Sequence, residues 1–405
     1  MSITIPPELA LSMRFPLGSA DDIAPAPEPV FSPLRVEFLA GLSKALFADA
    51  SAKSHPDVAA FAFWCRRANI ETWASRHRPS GLRIGLGPVF HVAPANVPIN
   101  FAYSLAFAFL AGNTSIVRLP SRHGEQIDLV IRALQEVLAE PRFATLRSAI
   151  HLLRYEHDDR TTEFWLQNTL GRIIWGGDAT VAHMRGLRAH PRSREIAFSD
   201  RYSFCVVNAA AILAADAGAL SDLYLRFAND MYLMDQHACS SPHMLAWIGE
   251  AGEVDDARRL FWPGFELLAQ SRYEPEPIQV MDKYVDTCRE IIDSPTVDAV
   301  VLRHPALTRI RLCSLTNDLY RRRGYFGTLH ELSLPSLSNI AAGIDPRCQT
   351  MTYFGFDAEE LRSFVVDQRL LGLDRIVPIG KAHDMGYSWD GFDLIGALSR
   401  VVEIN

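Results

Sequence analysis

The stretch GPVFHVAPANVPINFAYSLAFAFLAGNTSIVRLPS, residues 87–121, contains the pattern of segments that continues along the rest of the chain. A β-rich run leads into a short loop, an apolar helical segment follows and ends near Gly112, and a second β-rich run closes the stretch. This order predicts two parallel strands joined by a crossover helix. The loop after the first strand is then expected at the carboxyl edge of the sheet, where open α/β sheets bind ligands.

Alternating strands and helices continue toward the C-terminus, so the sequence predicts an α/β fold with parallel sheets covered on both faces. The first 33 residues hold seven prolines, which favour an extended arm over the surface. Two amphipathic helical patterns follow at residues 34–76. Short β segments are expected between residues 324 and 356.

The composition excludes several classes of protein. The 405 residues carry a formal net charge of −7, so no basic face indicates a nucleic-acid partner. No apolar run reaches the roughly 18–20 residues that a membrane span needs. The six cysteines show no CxxC spacing, so we expect no metal site, no disulfide framework and a cytoplasmic location.

Asn96 lies between Pro94 and Pro98 in the loop after the first strand. Two prolines restrict the backbone, so the Asn96 amide would be held in one place. A fixed amide suits an oxyanion that forms during acyl chemistry. The alternative is an asparagine that satisfies its own turn.

Two further segments could contact a phosphate. Gly176 and Gly177 follow a strand and precede a helix, whose N-terminus favours an anion, although a plain turn explains them equally well. Arg118, Ser121 and Arg122 form a cationic and hydroxyl cluster at the end of another strand. Arginine suits phosphate, but a solvated strand end is the alternative.

Cys239 differs from the other cysteines because it lies in the segment DQHACSSP, residues 235–242, where small neighbours leave access to a substrate. A nucleophilic thiol is one interpretation and a structural cysteine is the other. Residues two apart lie on one face of a strand but diverge on a helix, so His237 could serve as its base only if the backbone is extended there.

Four segments in order resemble the acyl-CoA reductase (LuxC-type fatty-acid reductase) family of the aldehyde dehydrogenase superfamily. They are PANVP at 94–98, AGNTSIVRLPS at 111–121, DQHACSSP at 235–242 and the closing segment RIVPIGKAHDMGYSWDGFDLIGALSRVVEI at 375–404. The resemblance implies an aldehyde dehydrogenase-like α/β fold, with a Rossmann-like cofactor lobe, an α/β catalytic lobe and a β arm for oligomerisation. We assign that arm partly to the late β-rich segment.

The resemblance also implies a domain division and residue roles. The division is a proline-rich arm at 1–33, an NADP-binding domain at 34–210, a catalytic domain at 211–375 with Cys239, and a C-terminal segment at 376–405 that could belong to the oligomerisation arm. Cys239 would be the nucleophile, and Asn96 with the Cys239 N–H would stabilise the oxyanion.

Two departures from the superfamily sharpen the expected chemistry. Phe198 stands where water-using aldehyde dehydrogenases carry a glutamate base, which disfavours hydrolysis of an acyl-enzyme. Ser121 stands where members that prefer NAD carry a glutamate, and Arg118 and Arg122 flank it, so NADPH is the expected cofactor and NADH the alternative.

We therefore expect an NADPH-dependent reductase that converts an acyl thioester, either acyl-CoA or an acyl-protein, to the aldehyde through an acyl group on Cys239. The alternatives are a CoA-acylating or oxidative aldehyde dehydrogenase, a cysteine acyltransferase or thioesterase that uses no nicotinamide, and a non-catalytic acyl carrier. Expected partners are a second copy of the chain and, as a further candidate, an acyl-transferring protein.

Overall fold

The computed structural model describes residues 3–24, 26–77, 81–94, 97–120, 124–317 and 319–404. The chain divides into two compact units. Unit 1 comprises residues 1–199 and 385–405, and unit 2 comprises residues 200–384. Within the described ranges, no helix is both long and apolar enough to cross a membrane.

The described part of unit 1 has seven strands and eight α-helices before the chain enters unit 2. The elements are α1 Pro7–Ala10, β1 Arg14–Leu17, α2 Pro33–Ala48, α3 Pro56–Trp64, α4 Arg67–Arg76, β2 Leu82–Gly85, β3 Pro88–Val92, α5 Asn100–Leu110, β4 Thr114–Arg118, α6 Glu125–Ala139, β5 Ile150–Arg154, α7 Asp159–Gln167, β6 Gly171–Trp175, α8 Asp178–Gly186 and β7 Arg194–Phe198.

The main sheet of unit 1 has the strand order β1-β5-β4-β3-β6-β7. All neighbouring pairs are parallel except β1 with β5. Read from β3 as the first strand, the five parallel strands follow the order 3-2-1-4-5 of a dinucleotide-binding sheet. The strand order reverses between β3 and β6, which confirms the Rossmann-like lobe expected from the sequence.

The opening stretch forms the centre of this unit. Helix α5 is almost completely buried, as its apolar residues all around the axis require. Gly112 ends this segment with φ of 88°, and an added Cβ there would collide with the Glu28 carbonyl. Asn113 is buried, and its side-chain oxygen accepts from the N–H groups of Leu86 and Gly87. The residues Gly112 and Asn113 of the AGNT motif therefore have a structural role.

The predicted helices at residues 34–76 differ from the observed ones. Three helices, α2, α3 and α4, replace the two expected patterns, because Pro56 starts a new helix and the chain turns at Cys65. The proline-rich segment also packs closely on unit 1. Met13 and Ile23 are buried, and β1 pairs with β5.

Unit 2 holds a second sheet with helices on both faces. Its elements are β8 Tyr202–Asn208, α9 Ala209–Ala214, α10 Ala217–Tyr232, β9 Pro242–Ile248, α11 Ala251–Arg272, α12 Pro277–Asp293, β10 Val297–His304, β11 Leu307–Leu312, β12 Thr328–Leu334, β13 Cys348–Phe354, α13 Ala358–Asp367 and β14 Arg375–Pro378. The strand order is β10-β11-β12-β9-β8-β13-β14, and only the β10–β11 pair is antiparallel.

Two sequence expectations need correction here. The strand at 202–208 belongs to unit 2, because β8 pairs with β9 and β13, so the boundary falls at 199/200 and not at 210. The late β-rich segment does not have the open strand edges expected of an oligomerisation arm. Its strands β12 and β13 each have hydrogen-bonded neighbours on both sides, and therefore offer no open edge.

The last segment of the chain returns to unit 1. It contains β15 Ser388–Trp389, β16 Phe392–Asp393, α14 Leu394–Ala397 and β17 Ser399–Val402, and β17 pairs with β2. Asn113 donates to the Leu398 carbonyl, and the Trp64 ring N–H donates to the Met385 carbonyl. Pairing of this segment with another subunit stays a prediction.

Candidate active site

Cys239 lies in the turn between α10 and β9, and buried Gln236 holds this turn in place. The Gln236 amide nitrogen donates to the carbonyls of Pro242 and Thr328, at 3.0 and 2.9 Å. Its side-chain oxygen accepts from the Gly327 N–H at 2.8 Å. Gln236 and its neighbour Asp235 both have positive φ, at 60° and 49°, so the chain reverses sharply before the cysteine.

The Cys239 side chain is half-buried at the amino ends of β8 and β13. The amide nitrogen of Gln349 donates to Cys239 Sγ at 3.2 Å, and Gln349 itself is completely buried. Ser203 Oγ donates to the Cys239 carbonyl at 2.6 Å and accepts from the Thr350 N–H at 3.1 Å. Two strands of the sheet thus fix both the backbone and the sulfur of Cys239.

The other cysteines have different surroundings. Cys65, Cys205 and Cys348 are buried, and burial raises the pKa of each thiol, that of Cys348 to about 11. Such thiols stay protonated and unreactive at neutral pH. Cys288 is half-buried on α12, and Cys313 is exposed.

His237 points toward aromatic rings. Its ring stacks on Tyr325, with centroids 4.8 Å apart, and lies 5.2 Å from the ring of Phe326. Burial lowers the pKa of the imidazole, and the carboxylate of Asp235 opposes that effect. This packing gives His237 a role in supporting the turn.

A second histidine contacts the residue that follows the cysteine. His383 Nε2 lies 3.2 Å from the Asp230 carbonyl, and His383 Nδ1 lies 3.2 Å from Ser240 Oγ. Because a carbonyl only accepts, Nε2 carries the proton and Nδ1 accepts from Ser240. Burial lowers the pKa of His383 to about 4, so the ring is neutral at pH 7.

Asp230 holds the segment that carries His383. Its carboxylate accepts from the N–H groups of Gly380, at 2.6 Å, and Ala382, at 3.0 Å. Burial raises the pKa of this carboxyl to about 7 despite those two hydrogen bonds. Asp230 of α10 therefore binds the segment 380–383, and His383 of that segment contacts Ser240, the residue after Cys239.

In unit 1, the candidate cofactor residues lie at the carboxyl edge of the main sheet. Gly176 and Gly177 follow β6, one of the two strands between which the strand order reverses. The Gly176 N–H donates to the Phe198 carbonyl at 3.1 Å, and a Cβ there would meet Thr180 at 2.8 Å. Gly176 is therefore needed for packing, whereas Gly177 begins α8 as its N-cap residue.

Arg118 ends β4, the strand next to β3. Its guanidinium lies 4.5 Å from the centre of the Tyr155 ring, an arrangement that fixes the cation at this edge. Burial raises the pKa of Tyr155 to about 12, and its hydroxyl lies 3.0 Å from Thr162 Oγ1. Asn96, Ser121 and Arg122 lie outside the described residues.

Phe198 ends β7 and is buried. Its ring stacks on Trp175 with centroids 3.7 Å apart. The nearby carboxylate of Glu195 is held by Arg172 and Arg185, each at 2.7 Å. Both carboxylate oxygens of Glu195 are therefore engaged by arginines.

Several residues of the site were not found in the sequence. Gln349 and His383 have no motif that marks them, and they meet Cys239 or Ser240 only through pairing of distant strands and the return of residues 379–383. Ser203 lies in the segment FSDRYS that the resemblance aligns, but the sequence assigns it no role. The positions of Ser203 and Gln349, each second in its strand, could have been noticed only once the strand order was known.

The comparisons with known proteins agree with this architecture. Residues 63–256 match the family described as acyl-CoA reductase (LuxC). No curated protein sequence matches the chain.

Solved aldehyde dehydrogenases share the fold at low sequence identity. Aldehyde dehydrogenase 21 from Physcomitrella patens, solved with the product succinate, has a TM-score of 0.65 at 12% identity, covering 91% of this chain and 84% of that one. Lactaldehyde dehydrogenase from Escherichia coli has a TM-score of 0.62 at 13% identity, covering 91% and 86%. A 3,6-anhydro-L-galactose dehydrogenase, solved in complex with NAP, has a TM-score of 0.60 at 11% identity, covering 90% and 85%.

These findings confirm the resemblance drawn from the four sequence segments: residues 63–256 match the acyl-CoA reductase (LuxC) family, and the chain has the fold of the aldehyde dehydrogenase superfamily.

Proposed function

We propose that this protein reduces an acyl thioester to an aldehyde with NADPH, through an acyl group carried by Cys239. The observation that carries the proposal is the contact between Cys239 Sγ and the buried amide of Gln349, at 3.2 Å. A hydrogen bond donated to sulfur favours the thiolate, which is the nucleophilic form. The family match and the fold support an oxidoreductase acting on acyl or aldehyde groups.

The proposed reaction begins when the Cys239 thiolate attacks the thioester carbonyl. The carbon–sulfur bond to the donor breaks, the donor leaves as a thiolate that takes up a proton from solvent, and the acyl group stays on Cys239. After reduction, the resulting thiohemiacetal loses its hydroxyl proton, its bond to Cys239 breaks, and the aldehyde leaves. Ser203 keeps the Cys239 backbone in place throughout, because it bridges the Cys239 carbonyl and the Thr350 N–H.

The described residues of unit 1 fit a dinucleotide. Three features lie at the edge of the sheet where such ligands bind. They are the change of strand order between β3 and β6, the N-terminus of α8 at Gly177, and the cation of Arg118. The nicotinamide cofactor, when bound, supplies the hydride. We infer that Arg118, with Ser121 and Arg122, donates hydrogen bonds to the 2′-phosphate and so favours NADPH over NADH.

The residue that the resemblance places at the position of the water-activating glutamate, Phe198, supports reduction over hydrolysis. Phe198 is apolar and packed on Trp175, and Glu195 is engaged by two arginines. Phe198 has no proton-accepting group that could activate water. We propose that the acyl group on Cys239 therefore persists until it is reduced.

The oxyanion donors in this proposal are the Asn96 amide and the Cys239 N–H. One such donor typically lowers the barrier by roughly 3–4 kcal/mol, so Asn96→Ala should lower kcat by on the order of 100-fold or more. The acyl donor in the proposal is acyl-CoA or an acyl group on a protein thioester, and the location is the cytoplasm.

Loss of NADPH absorbance on addition of short, medium and long acyl-CoA tests the proposal. We expect oxidation of NADPH with release of an aldehyde, no oxidation by Cys239→Ala, and full activity in Cys313→Ala, which removes an exposed thiol of the same unit. NADPH oxidation that persists in Cys239→Ala would refute the mechanism. Release of free CoA and carboxylic acid without NADPH would instead establish a thioesterase.

A further inference from the structure

Helix α12 is oriented with its apolar side toward solvent. Its buried residues are Lys283 and Thr287, both polar. Lys283 donates to the carbonyls of Pro305 and Phe326, at 2.8 and 2.9 Å. Glu290 lies on the same side and contacts His330 at 2.9 Å. A helix of a water-soluble protein normally buries its apolar stripe and exposes its polar one, so this reversal needs an explanation.

Apolar residues on the solvent-facing side of α12 follow a seven-residue repeat, and all of them are exposed except the half-buried Cys288. They occupy positions 278, 281, 285, 288 and 292, a spacing of 3, 4, 3 and 4 that places apolar residues at a and d of two heptads. Exposure is 66% at Ile278, 57% at Met281 and 82% at Ile292. Tyr284 and Ile291 widen the stripe on one side, at 56% and 49%. We call these seven positions the α12 seam.

Charges on the other side of the seam indicate what covers it. Asp282 and Arg289 are both exposed and lie one heptad apart, at the e positions. In an antiparallel helix pair, the e positions of one helix face the e positions of the other. Asp282 of each copy would then meet Arg289 of the other copy, which gives two symmetric ion pairs. In a parallel pair e faces g, where this helix has Tyr284 and Ile291. The charges are therefore complementary only for a second α12 that runs antiparallel.

We propose that α12 pairs antiparallel with α12 of a second copy of this chain and forms a two-fold symmetric dimer. Alignment of the two seams places Val285 against the second copy's Cys288, and Met281 against the second copy's Ile292, so that an a position packs on a d position in both pairs. Such an interface is self-complementary, as a two-fold axis requires. The proposal is independent of the proposed activity.

Sedimentation equilibrium of wild type and of Val285→Lys tests the pairing. We expect wild type to contain dimers, alone or as parts of a larger assembly, and Val285→Lys to sediment at half the wild-type mass. The control is Val366→Lys, a position on α13 that is 71% exposed, and it should leave the mass unchanged. Unchanged far-ultraviolet circular dichroism of both variants shows that they are folded. A monomeric wild type, or a mass that Val285→Lys does not alter, would overturn the proposal.

Charge reversal distinguishes a second copy from any other partner. Asp282→Arg and Arg289→Asp each place like charges across the seam, and each should raise the dimer dissociation constant about ten-fold. The double variant restores opposite charges in every pair and should return the constant to within about three-fold of wild type. A double variant that dissociates more readily than either single variant would overturn antiparallel pairing of α12 and point to a different protein on the seam.

Discussion

At Cys239, neighbours from β8 and β13 fix the backbone and the sulfur in different ways. Ser203 binds the carbonyl, and Gln349 donates to Sγ. The cysteine could be predicted from the segment DQHACSSP and its resemblance to a known family. Gln349 could not, because a polar residue second in a buried strand carries no sequence signal until the strand pairing places it beside a thiol.

Replacement of Gln349 by leucine should raise the pKa of the Cys239 thiol. A hydrogen bond to a charged group typically contributes about 1.5–3 kcal/mol, which corresponds to a rise of roughly one to two pH units. Alkylation of Cys239 by iodoacetamide, followed across pH 5–10, should slow about ten-fold or more at pH 7 in Gln349→Leu. The exposed Gln368→Leu serves as control. A titration curve of Gln349→Leu that overlays that of wild type would rule out this role.

Replacement of Arg118 by alanine should weaken selection of NADPH. Loss of a cation at a phosphate removes a charge-assisted contact that NADH does not make, so the KM for NADPH should rise about ten-fold or more while the KM for NADH changes little. Steady-state kinetics with both cofactors give the ratio. Arg66→Ala removes a guanidinium that also lies 4.5 Å from a ring, that of Phe63, and is the matched control. Equal changes in both KM values would contradict a role in phosphate recognition.

At the scale of elements, the order of strands and helices followed well from apolar periodicity, as α6, α11 and α13 show. The boundary between the units could not be predicted, because β8 has the same apolar composition as the strands before it. Only its hydrogen bonds to β9 and β13 place β8 in unit 2. Helix α12 could be predicted, yet its orientation could not. A heptad repeat of apolar residues indicates which side of a helix packs on another element. It does not indicate whether that element belongs to the same chain or to another one.

The connection between α10 and the segment after β14 should make stability depend on pH. Burial raises the pKa of the Asp230 carboxyl from 3.8 to about 7, so between those values the folded state binds a proton that the unfolded state has released. Stability from this group is therefore greatest at low pH and decreases as pH rises from about 4 to about 7.

Urea unfolding at pH 5 and pH 8 measures this dependence. Wild type should lose up to a few kcal/mol of unfolding free energy from Asp230 between pH 5 and pH 8, because the folded-state proton contributes about 1.4 kcal/mol per pH unit. Asp230→Asn has no proton to lose there, so its unfolding free energy should fall less over the same range. Asp222→Asn, an exposed aspartate on the same helix, is the control. An identical pH difference in wild type and Asp230→Asn would show that Asp230 does not titrate in this range.

At the scale of the whole molecule, buried neutral histidines occur in both units and make the chain sensitive to acid. Burial lowers the pKa of His91 in unit 1 and of His243 in unit 2, each to about 3. Below pH 6.5 the unfolded chain gains protons that the folded chain does not, so stability is lost as pH falls from about 6.5 toward 3.

His91→Gln should reduce this acid sensitivity. Each such histidine contributes at most about 1.4 kcal/mol per pH unit. Between pH 6 and pH 4, His91→Gln should therefore lose less unfolding free energy than wild type, and the difference should be one to two times that value. His157→Gln, at an exposed position, should keep the wild-type slope. Equal slopes in wild type and both variants would mean that His91 is protonated in the folded chain at this pH.

In the proposed reaction, Cys239 carries the acyl group and NADPH reduces it there. The most direct measurement is mass spectrometry of the protein after one equivalent of acyl-CoA is added without cofactor, followed by addition of NADPH. We predict one acyl group per chain, on the peptide that contains Cys239, which disappears with NADPH as one aldehyde forms for each NADPH consumed. An acyl group on another residue, or one on Cys239 that NADPH leaves in place, would contradict the account.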